Sequence, residues 1–224
     1  MSEHSNTPET PAIQPRHVFS SLPKYAAGKP PTPVEGLKQY KLSSNENPHG
    51  PIPEVARILA EFDATHRYPD PLSTKLRTAL AHHLGVDAHN IVTGAGSLGA
   101  LNQILKAFAG ASLDGTQDEV IYAWRSFEAY PILVGLLGAK SVQIPNLPNG
   151  AHDLNAMAQA VTDRTRVILV CTPNNPTGPA VTEAQMREFL TKIPENVVVV
   201  IDEAYYEFCT ASTVPAGQNA PVNG

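Results

Sequence analysis

From residue 53 onward the apolar residues alternate between two spacings. In PEVARILAEFDA, Val55, Ile58, Leu59 and Phe62 recur at offsets of zero, three, four and seven, which is one stripe of a helix. Leu72, Leu76, Leu80 and Leu84 repeat every four residues, and Gly85 is placed to stop that helix. Asn90 to Thr93 predicts a short strand, followed by GAGS and a helical face of Leu98, Leu101, Ile104, Leu105 and Phe108. EVIYAW and KSVQIP predict strands, separated by FEAYPILVGLLG, which is expected to be helical beyond its proline. HDLNAMAQAVTD predicts a helix capped by Asp153, and TEAQMREFLTKI one capped by Thr182. RVILVC and VVVVID are continuous apolar strands.

Strands that are apolar throughout and separated by helices imply an α/β fold, with a parallel or mixed sheet covered on both faces. In such folds, function gathers at the carboxyl ends of the strands. Four polar clusters fall there: GAGS, AWRSF, CTPNNPTG and DEAYY. GAGS between a strand and a helix suits either a tight turn or a phosphate held by free N–H groups. It is not the six-residue dinucleotide fingerprint. Pro173 and Pro176 bracket Asn174 and Asn175 in a rigid loop that can fix an amide above the sheet. Asp202 follows five apolar residues, so its carboxylate needs a partner to offset desolvation, and a protonated ring nitrogen would serve. Tyr205 can turn its hydroxyl to the same ligand. Phe127 and Tyr130 offer flat faces beside the same edge.

Composition narrows the picture. Net charge is −5, with 16 basic and 21 acidic residues and no basic run, which argues against a nucleic-acid partner. The apolar runs fall short of a membrane span, and the polar start is not a signal peptide. Two cysteines make no disulfide framework, which points to the cytoplasm. The 8 histidines show no metal-ligand spacing. Seven prolines within residues 1–36 predict an extended N-terminal arm with a disordered beginning, in which VFSSLPKY can dock on a body. Residues 37–208 are expected to form the domain, and 209–224 an unstructured tail.

Several stretches carry a resemblance. LSSNENPHGP (42–51), RYPDP (67–71), VTGAGS, AWRSFEAYP, VCTPNNPTG and VIDEAYYEF resemble, in order and spacing, the fold-type-I pyridoxal-phosphate aminotransferases. The branch is that of the histidinol-phosphate and actinobacterial aromatic amino-acid aminotransferases. The resemblance runs from about residue 22 to about 208, and it is most specific in NNPTG and DEAY. It implies part of a three-layer α/β/α large domain with a mixed, mostly parallel sheet. Ala95, Gly96 and Ser97 would hold the phosphate of pyridoxal 5'-phosphate, and Phe127 would stack on its ring. Asn175 and Tyr205 would bond the ring oxygen, and Asp202 would pair with the protonated ring nitrogen, keeping the ring an electron sink. Tyr68 would reach the cofactor phosphate of a partner subunit in a homodimer. Asn45 would line the substrate entrance, with Tyr130 on the substrate side.

The implied reaction moves an amino group between an aromatic amino acid and a 2-oxo acid, with histidinol phosphate as the alternative substrate. Histidinol-phosphate enzymes more often have proline where Arg125 stands. In the family, the lysine that binds the cofactor covalently lies beyond DEAY. Here CTASTVPAGQNAPVNG follows Phe208 without a lysine, and no upstream lysine matches such a segment. The chain is therefore expected to be a C-terminally truncated aminotransferase. Two other readings are a non-catalytic fragment that only binds cofactor or a partner subunit, and a nucleotide-binding α/β protein, which leaves NNPTG and DEAY without a purpose.

Overall fold

The four apolar runs after residue 118 form strands β1 (Glu119–Trp124), β2 (Lys140–Pro145), β3 (Thr165–Cys171) and β4 (Val198–Asp202). They pair side by side in the order β2-β1-β3-β4 in a computed structural model that describes residues 16–24, 31–41 and 44–209. All three pairings are parallel, and the last aligns Cys171 with Asp202. The helices are α1 (Val18–Ser21), α2 (Pro53–Glu61), α3 (Thr74–Leu84), α4 (Gly96–Phe108), α5 (Ala129–Leu136), α6 (Leu154–Gln159) and α7 (Glu183–Leu190). No helix among the described residues is long and apolar enough to cross a membrane.

The period of two along each strand sends alternate side chains to opposite faces. Val120, Tyr122, Val167 and Leu169 pack with Leu101 and Leu105 of α4 and with Tyr130 and Val134 of α5. Ile121, Ala123, Ile168 and Val170 pack on the other face with Met157 of α6 and with Met186 and Phe189 of α7. The result is the expected α/β/α sandwich. Burying one such side chain contributes about 1.5–3 kcal/mol. The central strands β1 and β3 bury nearly every residue and hold most of this core.

The caps follow the sequence. The Asp153 carboxylate accepts from the Ala156 N–H, and Thr182 with Gln185 forms a reciprocal capping box. Gly85 ends α3 at a φ of +69°, its N–H donating to the Ala81 carbonyl.

Four expectations shift. The Leu72 helix begins only at Thr74, because the Asp70 carboxylate captures the Leu72 and Thr74 N–H groups in a turn. α5 starts at Ala129, ahead of Pro131 rather than beyond it. A proline in the first helical turn removes an N–H that has no acceptor there anyway. Asn90–Thr93 is not a strand. Asn90 ends a short 3-10 turn, and the extended backbone after it has no neighbouring strand in the described sheet. β4, expected to be buried, is half-buried along its length, because it lies at the sheet edge with β3 on one side only.

The VFSSLP segment docks as expected. Arg16 donates to the Leu136 carbonyl, and the Leu22 side chain fills the space above Gly135, where an added Cβ would come within 2.5 Å of it. The beginning of the arm and the tail after residue 209 lie outside the described residues. The apolar stripe of α2 (Ile58, Leu59, Phe62) stays exposed.

At the opposite edge from the strand carboxyl ends, Glu119 is buried and shared by three donors. These are Lys140 at 3.0 Å, Arg164 at 2.9 Å and the Thr162 hydroxyl at 2.6 Å. Burial pushes its pKa up, but the hydroxyl and the two cations outweigh that and hold it below the usual glutamate value. A folded-state pKa below the unfolded one contributes stability above about pH 4.3, lost as pH falls through the folded value. Buried His152 has no hydrogen-bond partner for either ring nitrogen among the described residues. Burial lowers its pKa, offset only in part by the nearby Asn174 side chain. The unfolded chain therefore takes up that proton first, and stability falls as pH drops below about 6.5. Urea melts should show two acid-side losses. His152→Leu should flatten the one below pH 6.5. Glu119→Ala should cost about 3 kcal/mol at neutral pH and flatten the one near pH 4.

Candidate active site

The GAGS turn is built by close backbone contact. A Cβ on Gly94 would lie 2.6 Å from the Ala100 nitrogen and 2.8 Å from the Gly99 carbonyl carbon, so only glycine lets the chain cross the start of α4. Gly96 follows at a φ of +66°, and α4 begins there without a side-chain cap. The first N–H groups of α4 therefore have no acceptor within the helix, and its positive end is open. A cavity of about 280 Å³ separates these first turns from β4, with Ser97, Leu101, Ile104, Ile201, Asp202 and Ala204 among its walls.

Asp202 stands at the far end of β4. Its backbone carbonyl accepts from the Thr172 N–H at 2.9 Å, which fastens the β4 terminus to the loop after β3. Its carboxylate accepts from the Tyr130 hydroxyl at 2.7 Å and from the Ala204 N–H at 3.2 Å. Both donors are neutral. This sets Asp202 apart from Glu119, whose charge two cations balance.

Tyr130, expected on the substrate side, is instead fully buried in the first turn of α5. Its ring meets Phe127 and Tyr122 edge-on, each at 5.6 Å between centroids. Burial, and then the neighbouring Cys171 and Asp202, push its hydroxyl well above the ordinary tyrosine range, so it stays a donor. Burial, and then the Asp202 charge, push the Cys171 thiol up to about 11, which keeps it neutral.

The loop after β3 brings Asn175 beside this group, half-buried, while Asn174 is buried beneath it. Tyr205, just beyond β4, accepts a hydrogen bond from the Asn45 amide at 3.0 Å, so residues 160 positions apart meet at the rim. Asn45 itself sits at a φ of +51°. Arg125 lies over the Trp124 ring at 4.9 Å. Ser97 and Asp202 thus share one cavity, Phe127 joins Asp202 through Tyr130, and Asn45 joins Tyr205. Tyr68 is fully exposed and outside this cluster. The described residues contain no group of three or more His, Cys, Asp or Glu that could hold a metal ion.

The sequence points to the Asn174–Asn175 pair without separating the two amides, and it gives Ser126 no role of its own. NNPTG repeats one amide, and two adjacent side chains in a rigid loop cannot face the same way. That repetition was the available signal.

The class I and II aminotransferase family model matches residues 38–222. The chain belongs to that family. The aromatic amino acid aminotransferase of Streptomyces coelicolor is 48% identical over 203 residues, covering 90% of this chain and 55% of the relative. That of Thermobifida fusca is equally similar, at 48% over 203 residues, 90% and 55%. The crystal structure of histidinol-phosphate aminotransferase from Sinorhizobium meliloti, in complex with pyridoxal-5'-phosphate, superposes with a TM-score of 0.69. Its identity is 28%, and the match covers 77% of this chain and 46% of that one. This aminotransferase chain spans about half the length of the curated relatives it matches.

Removing the Tyr130 hydroxyl strips Asp202 of its shortest hydrogen bond. Tyr130→Phe should cost about 2 kcal/mol in urea denaturation, as expected for a buried bond to a charged acceptor.

Proposed function

We propose that this chain forms the cofactor-binding part of a pyridoxal-phosphate-dependent aromatic amino acid aminotransferase. One observation carries the reading: the Asp202 carboxylate accepts only from a hydroxyl and a backbone N–H among the described residues, and it lines the same cavity as the open positive end of α4. A ligand with a cationic ring nitrogen at one end and a phosphate at the other matches both. The residues fit such a group, since nothing lies within 4 Å of where a Cβ on Gly96 would sit, and its backbone is bare where a phosphate would approach.

Pyridoxal phosphate, when bound, supplies the electron sink for amino-group transfer. Ala95, Gly96 and Ser97 hold its phosphate through N–H groups and the Ser97 hydroxyl. Asp202 keeps the ring nitrogen protonated, and Tyr130, buried behind it, fixes the carboxylate rather than touching substrate. Phe127 lies against the ring and excludes water from one side. Asn175 and Tyr205 donate to the ring oxygen, and Asn45 orients the Tyr205 hydroxyl at the rim. Tyr68, wholly exposed, finds its role against a second copy in a homodimer. The two free cysteines suit a cytoplasmic site of action.

An aromatic amino acid and a 2-oxo acid are the substrates favoured by the 48% identity to aromatic enzymes. The 28% identity to a histidinol-phosphate enzyme supports that alternative less.

The test has two arms. Pyridoxal phosphate titrated into this chain should bind, and Asp202→Asn should weaken binding by about 2 kcal/mol by removing the charge opposite the ring nitrogen. Equal affinity in the variant would sink the cofactor pose. A chimera of this chain with the remaining part of the Streptomyces coelicolor relative should transfer amino groups from phenylalanine or tyrosine faster than from histidinol phosphate. The reverse order would move the substrate assignment to the alternative.

A further inference from the structure

The cofactor contacts proposed above come from separate loops, and one buried amide ties two of those loops together. Asn174 is 3% exposed. Its Oδ1 accepts from the Ser126 hydroxyl at 2.7 Å. Its Nδ2 donates to the Arg125 carbonyl at 3.0 Å and to the Thr177 hydroxyl at 2.7 Å. Thr177 in turn donates to the Gly150 carbonyl at 2.7 Å. The Asn174 backbone closes its own loop, its N–H donating to the Pro179 carbonyl and its carbonyl accepting from the Gly178 N–H. A second amide, Asn146, donates to the same Arg125 carbonyl at 2.7 Å. The loops that follow β1 and β3 are therefore joined through the Asn174 side chain, whose two amide hydrogens and oxygen are all used, and Thr177 and Asn146 tie in the loop after β2.

The neighbours on either side give this knot its meaning. Phe127 directly follows Ser126, and Asn175 directly follows Asn174. A shift of either loop moves an aromatic face or an amide relative to Asp202. Ser126 is itself buried, 1% exposed, so its hydroxyl has no water to fall back on.

We propose that Asn174 is a positioning residue for the cofactor pocket: it sets the distance between the ring-stacking Phe127 and the oxygen-binding Asn175 by locking their loops through Ser126, Arg125 and Thr177. The proposal rests on the cofactor reading above. Asn174 does not itself touch the ligand.

The test uses the whole chain and pyridoxamine phosphate, whose amine cannot condense with lysines. Trp124, the single tryptophan of the sequence, sits next to Arg125 and Ser126, so quenching of its fluorescence reads binding. Each variant is titrated at a temperature where circular dichroism reports it folded. Asn174→Ala should weaken binding about tenfold or more, the size of losing a buried hydrogen-bond partner. Ser126→Ala should weaken it less, and the double variant should be no weaker than Asn174→Ala alone, because both act through one bond. Amide hydrogen exchange without ligand should rise in both 125–127 and 172–179 for either variant. Should Asn174→Ala not fold, Ser126→Ala decides by the same two readouts. Affinity within twofold of the parent in a folded variant overturns the positioning role, and Asp202→Asn still weakening binding would then leave the cofactor reading standing. No quenching in the parent chain overturns both.

Discussion

A parallel sheet buried on both faces has nowhere to carry polar side chains except at its ends. Each pairing here is parallel, and β1 and β3 are sealed between α4 and α5 on one side and α6 and α7 on the other. A charged group in the middle of either strand would lose its hydration without compensation. Polar chemistry is therefore expelled to the two edges. Glu119 collects cations at one, and Asp202 meets Tyr130 and the loop after β3 at the other, across a cavity from the start of α4. The candidate site is the price of a dry sheet, and its place follows from the core.

The two acids differ in how their partners treat the charge. Glu119 touches two cations and a hydroxyl, so its charge is already balanced and nothing more is needed from outside. Asp202 receives a hydroxyl and a backbone N–H, which orient the carboxylate without cancelling it. A preorganised charge that stays uncancelled is what a cationic ligand group would meet.

Much of this was legible in the residues. The strands were readable because continuous apolar runs bounded by turn residues have few alternatives in an α/β pattern, and the caps at Asp153 and Thr182 because the capping oxygen acts within three residues. Asn90–Thr93 misled because a strand is a relation between two segments, and local composition cannot report a missing neighbour. Tyr130 was ambiguous for a similar reason. Its position near a strand end fits a surface face or a buried hydroxyl equally, and only the packing of α5 against the sheet turns it inward. The Asn174 knot was the least visible. Its partners lie 48 and 49 positions upstream, beyond any local spacing rule.

The pairing of Cys171 with Asp202 has one more consequence. β4 is drawn from a run of four valines, Val197–Val200, whose side chains are interchangeable. Sliding β4 by two positions so that Val200 faces Cys171 leaves valines opposite Ile168–Cys171 and keeps the same faces, so hydrophobic packing scarcely distinguishes that alignment from the observed one. The reverse slide would set Asp202 against buried Leu169. What removes that translational degeneracy lies at the terminus, where the Asp202 carbonyl accepts from the Thr172 N–H and its carboxylate meets Tyr130. The strand is indexed by the same residue that the site would use, so a slipped sheet and a misplaced charge are a single event.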